Sequence, residues 1–339
     1  MKLPRSHFMG HNIWILKATG FNRGMGIHVF NKLDELQRLI KEYTEGTVAE
    51  SNVVQPKDKG KESKQTLNAT ANNQQPDVPS YLRSTSFVIQ KYVEKPLLLL
   101  GRKFDIRVWV LVNQEQRVFI FKEGYIRTSC EEYSLSQESM SKAYVHLTNN
   151  AVQKNAINYG KFEDGNQLSY NDLQKILNKE KAAKPEYQLP QDYVRSVLIP
   201  KMKEQIILSM ESVRKKLRTG KAYFELFGYD FIVDGDFAPW LIEVNTNPCL
   251  EESSKLLECY IPRMVNDMLK LTVDLAFPPK KGSTPYNPRE LNCFSIEGYL
   301  NEENLWEQVL KLDNNGASEG LGKNGEKTPV GYINQKRGW

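Results

Sequence analysis

Three groups of residues have the types and spacing to do chemistry. The first is Lys17 with the run ATGFNRGMGI, where Gly20, Gly24 and Gly26 punctuate the turn after a lysine that ends a strand. Glycines let backbone N–H groups come close to an oxyanion, and the lysine adds a point charge. No G-K-[ST] closes the run, so it is not a Walker A loop, and it lacks a full dinucleotide G-x-G-x-x-G in the right setting. Alone it reads equally as a flexible hairpin with a surface lysine. The second group is Lys103, Asp105 and Arg107 in GRKFDIR. Period-two alternation puts all three on one strand face, opposite Phe104, Ile106, Val108, Val110 and Val112. That row is either a polar floor for a charged ligand or the solvated face of a half-buried sheet. Arg127, in EGYIRTS, falls on the expected neighbouring strand, and a second guanidinium on the same face would favour an anion site. The third group is Asp230, Glu243 and Asn245. A hairpin turning through 235–238 makes 234 face 239 and 230 face 243, with the Asp230 and Glu243 Cβ atoms about 5 Å apart. Two carboxylates that close repel unless a cation lies between them, and an oxygen-only set suits magnesium. The other reading is a pair of exposed acids on an edge strand. HLTNN, at 146–150, supplies compact hydrogen-bonding groups but could equally be a turn, and His146 reads as a structural histidine. Together the groups describe nucleotide phosphate chemistry by charge neutralisation and positioning, with no serine, cysteine or histidine nucleophile.

The elements that must position these residues are legible in outline. NIWILK, the glycine loop, IHVF and NKLDELQRLIKEY read as strand, loop, strand and helix, with Asn31 as N-cap, Glu35 in the first turn and a stripe of Leu33, Leu36, Leu39 and Ile40. Residues 44–83 are polar, lysine-spotted and poor in large apolar residues, which predicts a flexible insertion. SFVIQKYV, KFDIRVWVLV and VFIFKEGYIR read as strands, and 166–219 as mainly helical, with Met202, Ile206, Met210, Val213 and Leu217 on one stripe after Pro200. FGYDFIVDGDFAPWLIEVN reads as a hairpin around 234–237, followed by an amphipathic stretch in which Pro262 predicts a break or kink. Beyond Pro278 the pattern fades, and about the last 25 residues read as a mobile tail.

Composition sets the outer limits. The 339 residues are 40% hydrophobic and 10% aromatic, which excludes a wholly disordered or collagen-like chain. Lys and Arg number 46 against 41 Asp and Glu, a net charge of +5 that by itself names no partner. Cys130, Cys249, Cys259 and Cys293 form no C-x-x-C, so a reduced, intracellular protein is expected. The histidines offer no zinc spacing, no apolar run is long enough to span a membrane, and the N-terminal apolar patch is too short for a secretory signal.

The ordered series VIQKYVEKPLLL, GRKFDIRVWVLV, EGYIRTS, HLTNNAVQK, NYGKFEDGNQL, FELFGYDFIVD and WLIEVNTNP resembles the tubulin–tyrosine ligase family. The matching blocks run from about Asn12 to Pro278, and QKYVEKPLLL and NYGKFEDGN stand nearest in wording to tubulin–tyrosine ligase itself. The resemblance implies an ATP-grasp fold of the α/β (α+β) class, two lobes with mainly antiparallel sheets that sandwich ATP. It implies a smaller ATP-covering lobe over 1–95, a catalytic lobe over 96–278 and a largely irregular extension over 279–339. Carried over by position, Lys17, Gly24 and Gly26 meet the phosphates. Gln90, Lys91 and Tyr92 form the hinge beside the adenine. Lys103, Asp105, Thr148 and Asn149 line the nucleotide. Asp230, Glu243 and Asn245 hold magnesium, and Arg107, Arg127 and Glu243 carry catalysis.

The implied reaction is ATP-dependent ligation of an amino acid, tyrosine first, to the acidic C-terminal tail of tubulin through an acylphosphate. ATP and magnesium are the implied cofactors, tubulin and a free amino acid the partners. Nucleic acid, membrane and a stable oligomer are not expected. The implied setting is the cytoplasm, the microtubule cytoskeleton and, within it, the cilium. A tubulin polyglutamylase or glycylase is the alternative, as is a non-catalytic tubulin- or nucleotide-binding remnant. Two departures bear on these. Lys17–Ala18 stands where the family usually has lysine followed by proline. The family also carries an N-terminal domain ahead of the glycine loop, which predicts that this chain is either a fragment or a degenerate member.

Overall fold

The computed structural model describes residues 10–21, 24–47, 83–183, 189–218, 220, 222–278, 295–312, 319–321 and 327–329. Most of the polar 44–83 stretch and of the C-terminal tail, and Cys293, lie outside the described residues. The elements run β1 (Trp14–Ala18), β2 (Ile27–Phe30), α1 (Leu33–Glu45), β3 (Phe87–Lys91), β4 (Leu98–Leu99), β5 (Arg102–Val112), β6 (Arg117–Glu132), α2 (Gln137–Met140), α3 (Ala143–His146), α4 (Asn150–Gln153), β7 (Gln167–Ser169), α5 (Tyr170–Ala183), α6 (Ile199–Val213), β8 (Glu225–Val233), β9 (Pro239–Asn245), α7 (Lys255–Leu271), α8 (Val273–Ala276), β10 (Trp306–Lys311), β11 (Glu319–Leu321) and β12 (Lys327–Pro329). Two compact units result: Met1–Phe104 with Thr128–Asn166, and Asp105–Arg127 with Gln167–Trp339.

The first unit is built on an antiparallel sheet ordered β2-β1-β3. β1 is apolar on both faces because both are covered. Ile13 and Ile15 pack with Tyr92, Met140, Leu147 and Val152, while Leu16 packs with Phe30 and Leu39 of α1. The predicted stripe of α1 holds for Leu36, Leu39 and Ile40, but Leu33 is 68% exposed because the helix begins there, before the chain reaches the sheet. Lys32, in extended backbone, is the N-cap and gives no side-chain bond, so Asn31 does not cap the helix. Glu35 lies in the first turn as expected. Gly46 ends the helix in the left-handed region, at φ 73°.

In the second unit β5 lies between β6 and β8. Every residue of β5 is buried, so the solvated-face reading of Lys103, Asp105 and Arg107 is excluded. Trp109 and Leu111, further along the same face, enter a core with Phe121, Tyr125, Tyr260, Met264 and Trp306. The β8–β9 hairpin pairs Asp230 with Glu243 as the spacing predicts, but not for the predicted reason. Val233, not Asp234, faces Pro239; the register shifts between Asp230 and Phe231, and the extra residue on β9 is Ile242. Asp234 instead organises the turn: its carboxylate accepts from the N–H groups of Asp236 (3.0 Å) and Ala238 (2.9 Å) and from the Trp240 indole (2.7 Å). β9 is the sheet edge there, and Gln205 of α6 bonds its backbone at Leu241 N (3.1 Å) and Pro239 O (2.7 Å).

Met202, Ile206 and Met210 form the buried stripe of α6, whereas Val213 is 37% exposed and Leu217 falls past the helix end. α7 is N-capped by Ser254 and continues past Pro262, so of the expected break or kink the break does not occur. Past Pro278, β10 pairs antiparallel with β6, and Leu305 and Trp306 are buried. Among the described residues no helix is long and apolar enough to cross a membrane.

Candidate functional site

In the second unit three neighbouring strands bring the predicted charged residues together. Period two on β5 sets Asp105 and Arg107 on one face, and β6 and β8 bring Arg127 and Asp230 to them. Arg127 grips Asp105 with two bonds, Nε to Oδ1 at 2.6 Å and Nη2 to Oδ2 at 2.7 Å. Arg107, register partner of Asp230, holds that carboxylate through Nε and, at 3.1 Å, Nη2. Arg127 Nη2 also reaches Asp230 Oδ2 at 2.9 Å. All four side chains are buried, and a buried charge persists only when it is paired and hydrogen-bonded. Burial pushes the Asp230 carboxyl up, but the Arg127 and Arg107 guanidinium groups outweigh it and hold it well below the usual carboxylate range. For the arginines burial lowers and the carboxylates raise, and both end above the ordinary guanidinium value.

Two arginines and two aspartates make this cluster charge-balanced. The cation demanded by the crowding of Asp230 and Glu243 is thus partly supplied by the protein itself. Glu243 is half-buried beside them, and Asn245 Nδ2 donates to Asp230 Oδ2 at 3.3 Å and to Glu243 Oε1 at 3.3 Å. The donor chemistry fits a small, hard cation, since all three side chains offer oxygen. Among the described residues no three His, Cys, Asp or Glu side chains converge on a metal position, and Asn245 would complete the set only with its amide turned over, since it is the amide nitrogen that faces the two carboxylates. Two glycines that the sequence reading did not single out make the approach possible. A Cβ on Gly228 would lie 3.0 Å from Arg107 Nη1 and 3.0 Å from Pro248, and one on Gly124 would lie 2.6 Å from the Arg107 carbonyl oxygen. Their signal was a glycine inside a strongly apolar strand.

The first unit gathers the remaining predicted residues. Lys17 is half-buried on β1, opposite Ile27 and Val88. The glycine loop folds back on the HLTNN segment. Gly24 sits at φ +82°, and a Cβ there would come within 2.6 Å of Val152 and 3.6 Å of Asn149 Oδ1. Gly26, at φ +70°, turns back against Ala18 and Phe21. Asn149 caps α4, its carbonyl accepting from Val152 N (2.9 Å) and Gln153 N (3.0 Å), and Thr148 beside it is buried. Gln90 pairs with Ile15 on β3.

The side chains of two members of the hinge segment are held by partners within the first unit. The Lys91 amine bonds to the Ile13 carbonyl (2.9 Å) and to Glu94, which also accepts from the N–H groups of His11 (2.5 Å) and Ile13 (2.9 Å). The Tyr92 side chain is buried, its hydroxyl 2.9 Å from both Lys103 Nζ and His146 Nδ1. Glu94 and His146 were missed as organising residues because Ile13 and Tyr92, which they bond, lie 81 and 54 residues away.

An antiparallel α/β architecture with a glycine loop, a buried arginine–aspartate cluster and a paired-carboxylate edge hairpin is that of an ATP-grasp-like fold. A sequence profile of the tubulin-tyrosine ligase family matches residues 2–284, and the chain belongs to that family. It is 31% identical over 285 residues to Tubulin glycylase 3B of Tetrahymena thermophila, covering 83% of this chain and 20% of the relative. Tubulin monoglycylase TTLL3 of Mus musculus is 29% identical over 269 residues, 78% of this chain and 24% of the relative. Probable tubulin polyglutamylase TTLL9 of Bos taurus is 32% identical over 247 residues, 71% of this chain and 50% of the relative. The chain thus spans between a fifth and a half of the length of these relatives.

Proposed function

We propose that the chain carries the catalytic part of an ATP-dependent ligase that joins an amino acid, glycine first, to tubulin on the cytoskeleton. The observation that carries this is the buried cluster Asp105, Arg107, Arg127 and Asp230 beside Glu243 and Asn245, in a chain related to tubulin glycylases. Glutamate is the second reading, favoured by the 32% identity to a probable polyglutamylase. Tyrosine, which the motif wording puts first, has no counterpart among the relatives above.

In this reading Lys17, Gly24 and Gly26 receive the phosphates, Gln90 to Tyr92 contact the adenine through their backbone, and Lys103, Asp105, Thr148 and Asn149 line the nucleotide. Asp230, Glu243 and Asn245 hold magnesium, which when bound offsets the phosphate charge. Arg107 and Arg127 orient the γ-phosphate and the acceptor carboxylate; Asp105 and Asp230 hold the two guanidinium planes in place before any ligand arrives. One such charge pair is worth roughly 4 kcal/mol at 4 Å and an effective dielectric of 20, so neither arginine is dispensable. The acceptor carboxylate takes the γ-phosphoryl group and releases ADP, and the incoming amine then displaces phosphate to leave an amide.

Labelled glycine, glutamate and tyrosine, each supplied with ATP and purified tubulin, test the proposal. Incorporation of glycine alone supports it, and glutamate alone supports the second reading. ATP binding without incorporation of any of the three would point to a non-catalytic remnant and overturn both.

A further inference from the structure

We propose that His146 is a positioning residue: acting through the Tyr92 hydroxyl, it holds the Lys103 ammonium in place for a bound nucleotide. This rests on the reading of Lys103 as a nucleotide-contacting residue. All three side chains are buried in the first unit. His146 Nε2 lies 2.9 Å from the Ser139 carbonyl oxygen, which can only accept, so Nε2 carries the ring proton. Nδ1 is then the bare nitrogen and accepts from the Tyr92 O–H at 2.9 Å. With its proton committed to the imidazole, the Tyr92 oxygen accepts from Lys103 Nζ, also at 2.9 Å. The same ammonium donates to the His146 carbonyl at 2.8 Å. The chain of bonds therefore runs from lysine to tyrosine to histidine to backbone, with the Tyr133 hydroxyl as a further partner of Tyr92, and it begins at a cation.

The surroundings keep that direction. Burial, and then the Lys103 charge, lower the His146 imidazole to about 4, so it is neutral at physiological pH. Burial, with Tyr133 beside it, holds the Tyr92 hydroxyl well above its ordinary value, so it keeps its proton. The Tyr92 and Tyr133 rings meet the imidazole edge-on, at 5.6 and 6.1 Å between centroids, and Lys103 lies over the Tyr92 ring at 4.5 Å. A lysine side chain is among the most flexible, and fixing its ammonium at two hydrogen bonds removes that freedom before the ligand binds.

The test is the affinity of the full chain for ATP with magnesium, measured by calorimetry, with the melting temperature as the control for folding. Tyr92→Phe removes only the hydroxyl, and His146→Leu removes the acceptor. His146→Asn places an amide oxygen near the Nδ1 position. Hydrogen bonds to charged groups are strong enough that Tyr92→Phe and His146→Leu should each weaken ATP binding on the order of tenfold. His146→Asn should recover most of the loss, and Tyr92→Phe should add nothing once Lys103→Met is present. ATP affinity unchanged in folded Tyr92→Phe, with Lys103→Met weakened, would overturn the inference and leave the reading of Lys103 standing. A Tyr92→Phe effect that persists in the Lys103→Met background would also overturn it. Unchanged affinity in Lys103→Met would remove the reading itself.

Discussion

Arg107 and Glu243 make opposite predictions although they lie in one patch. Arg107 is buried and bonded twice to Asp230, so Arg107→Ala leaves a buried carboxylate without two of its bonds. Breaking such a pair costs about 3–5 kcal/mol. Arg107→Ala should therefore lower the melting temperature by several degrees as well as abolish ligation, and an unchanged melting curve would count against the ion pair as described. Glu243 is half-buried, so water still reaches it, and it accepts from the Asn245 amide at 3.3 Å. Glu243→Gln should melt within a degree or two of the parent yet ligate nothing; full activity in the folded variant would sink the magnesium assignment. What separates the two residues was out of reach of the sequence. The Arg107–Asp230 bond closes across 123 residues, and no local spacing states which carboxylate an arginine will meet.

The glycine loop and β10 carry the predictions at the scale of elements. Gly24 needs both its positive φ and the absence of a Cβ, since Val152 would stand 2.6 Å away. Gly24→Ala should leave the unit folded but displace the loop, weakening ATP binding on the order of tenfold, and Val152→Ala should restore part of it. If Val152→Ala restores nothing, the loop is not seated on that side chain. β10 lies beyond the family match that ends at residue 284, yet Leu305 and Trp306 belong to the same core as Trp109, Phe121 and Met264. The Asp267 carboxylate, fully buried, bonds Leu305 N at 3.0 Å and Arg263 at 2.8 Å. A chain stopped at residue 284 should aggregate or melt far below the full chain, and comparable solubility and melting would refute the role of β10. The hairpin shows how an element can be read correctly through two offsetting errors. The turn is one residue out from the expected register, and the bulge at Ile242 brings Asp230 back opposite Glu243.

At the scale of the whole molecule the acid limb of stability belongs to buried histidines before it belongs to carboxylates. Burial lowers His28 and His146 from 6.5 to about 4 each. Both are neutral in the folded chain, while the unfolded chain takes up their protons first as the pH falls below 6.5. Their contribution is fully present above that value and is lost down to about 4, on the order of 3 kcal/mol for each histidine. The Asp230 carboxyl, held low by its arginines, adds a further loss only at more acid pH. Urea midpoints should fall steadily between pH 6.5 and 4.5, and His28→Gln should flatten part of that slope. A level profile over the same range would exclude neutral buried histidines.

Alternation along β5, the punctuation of the glycine loop, the helical stripe of α6 and the hairpin length are properties of adjacent residues. For that reason the sequence by itself determined the strand faces and, through its ordered series of motifs, the family and with it the antiparallel α/β class, whereas the bulge that sets Asp230 opposite Glu243 was not legible in it. Only the tertiary structure decided that both faces of β5 are buried, because burial depends on what the rest of the chain lays over them. It also decided that Asp105 and Asp230 meet arginines and that Glu94 holds the entry to β1. His146, unremarkable in HLTNN, became the end of a bond chain for the same reason: hydrogen bonds and ion pairs form between groups close in space, and the chain brings those groups from positions tens to more than a hundred residues apart.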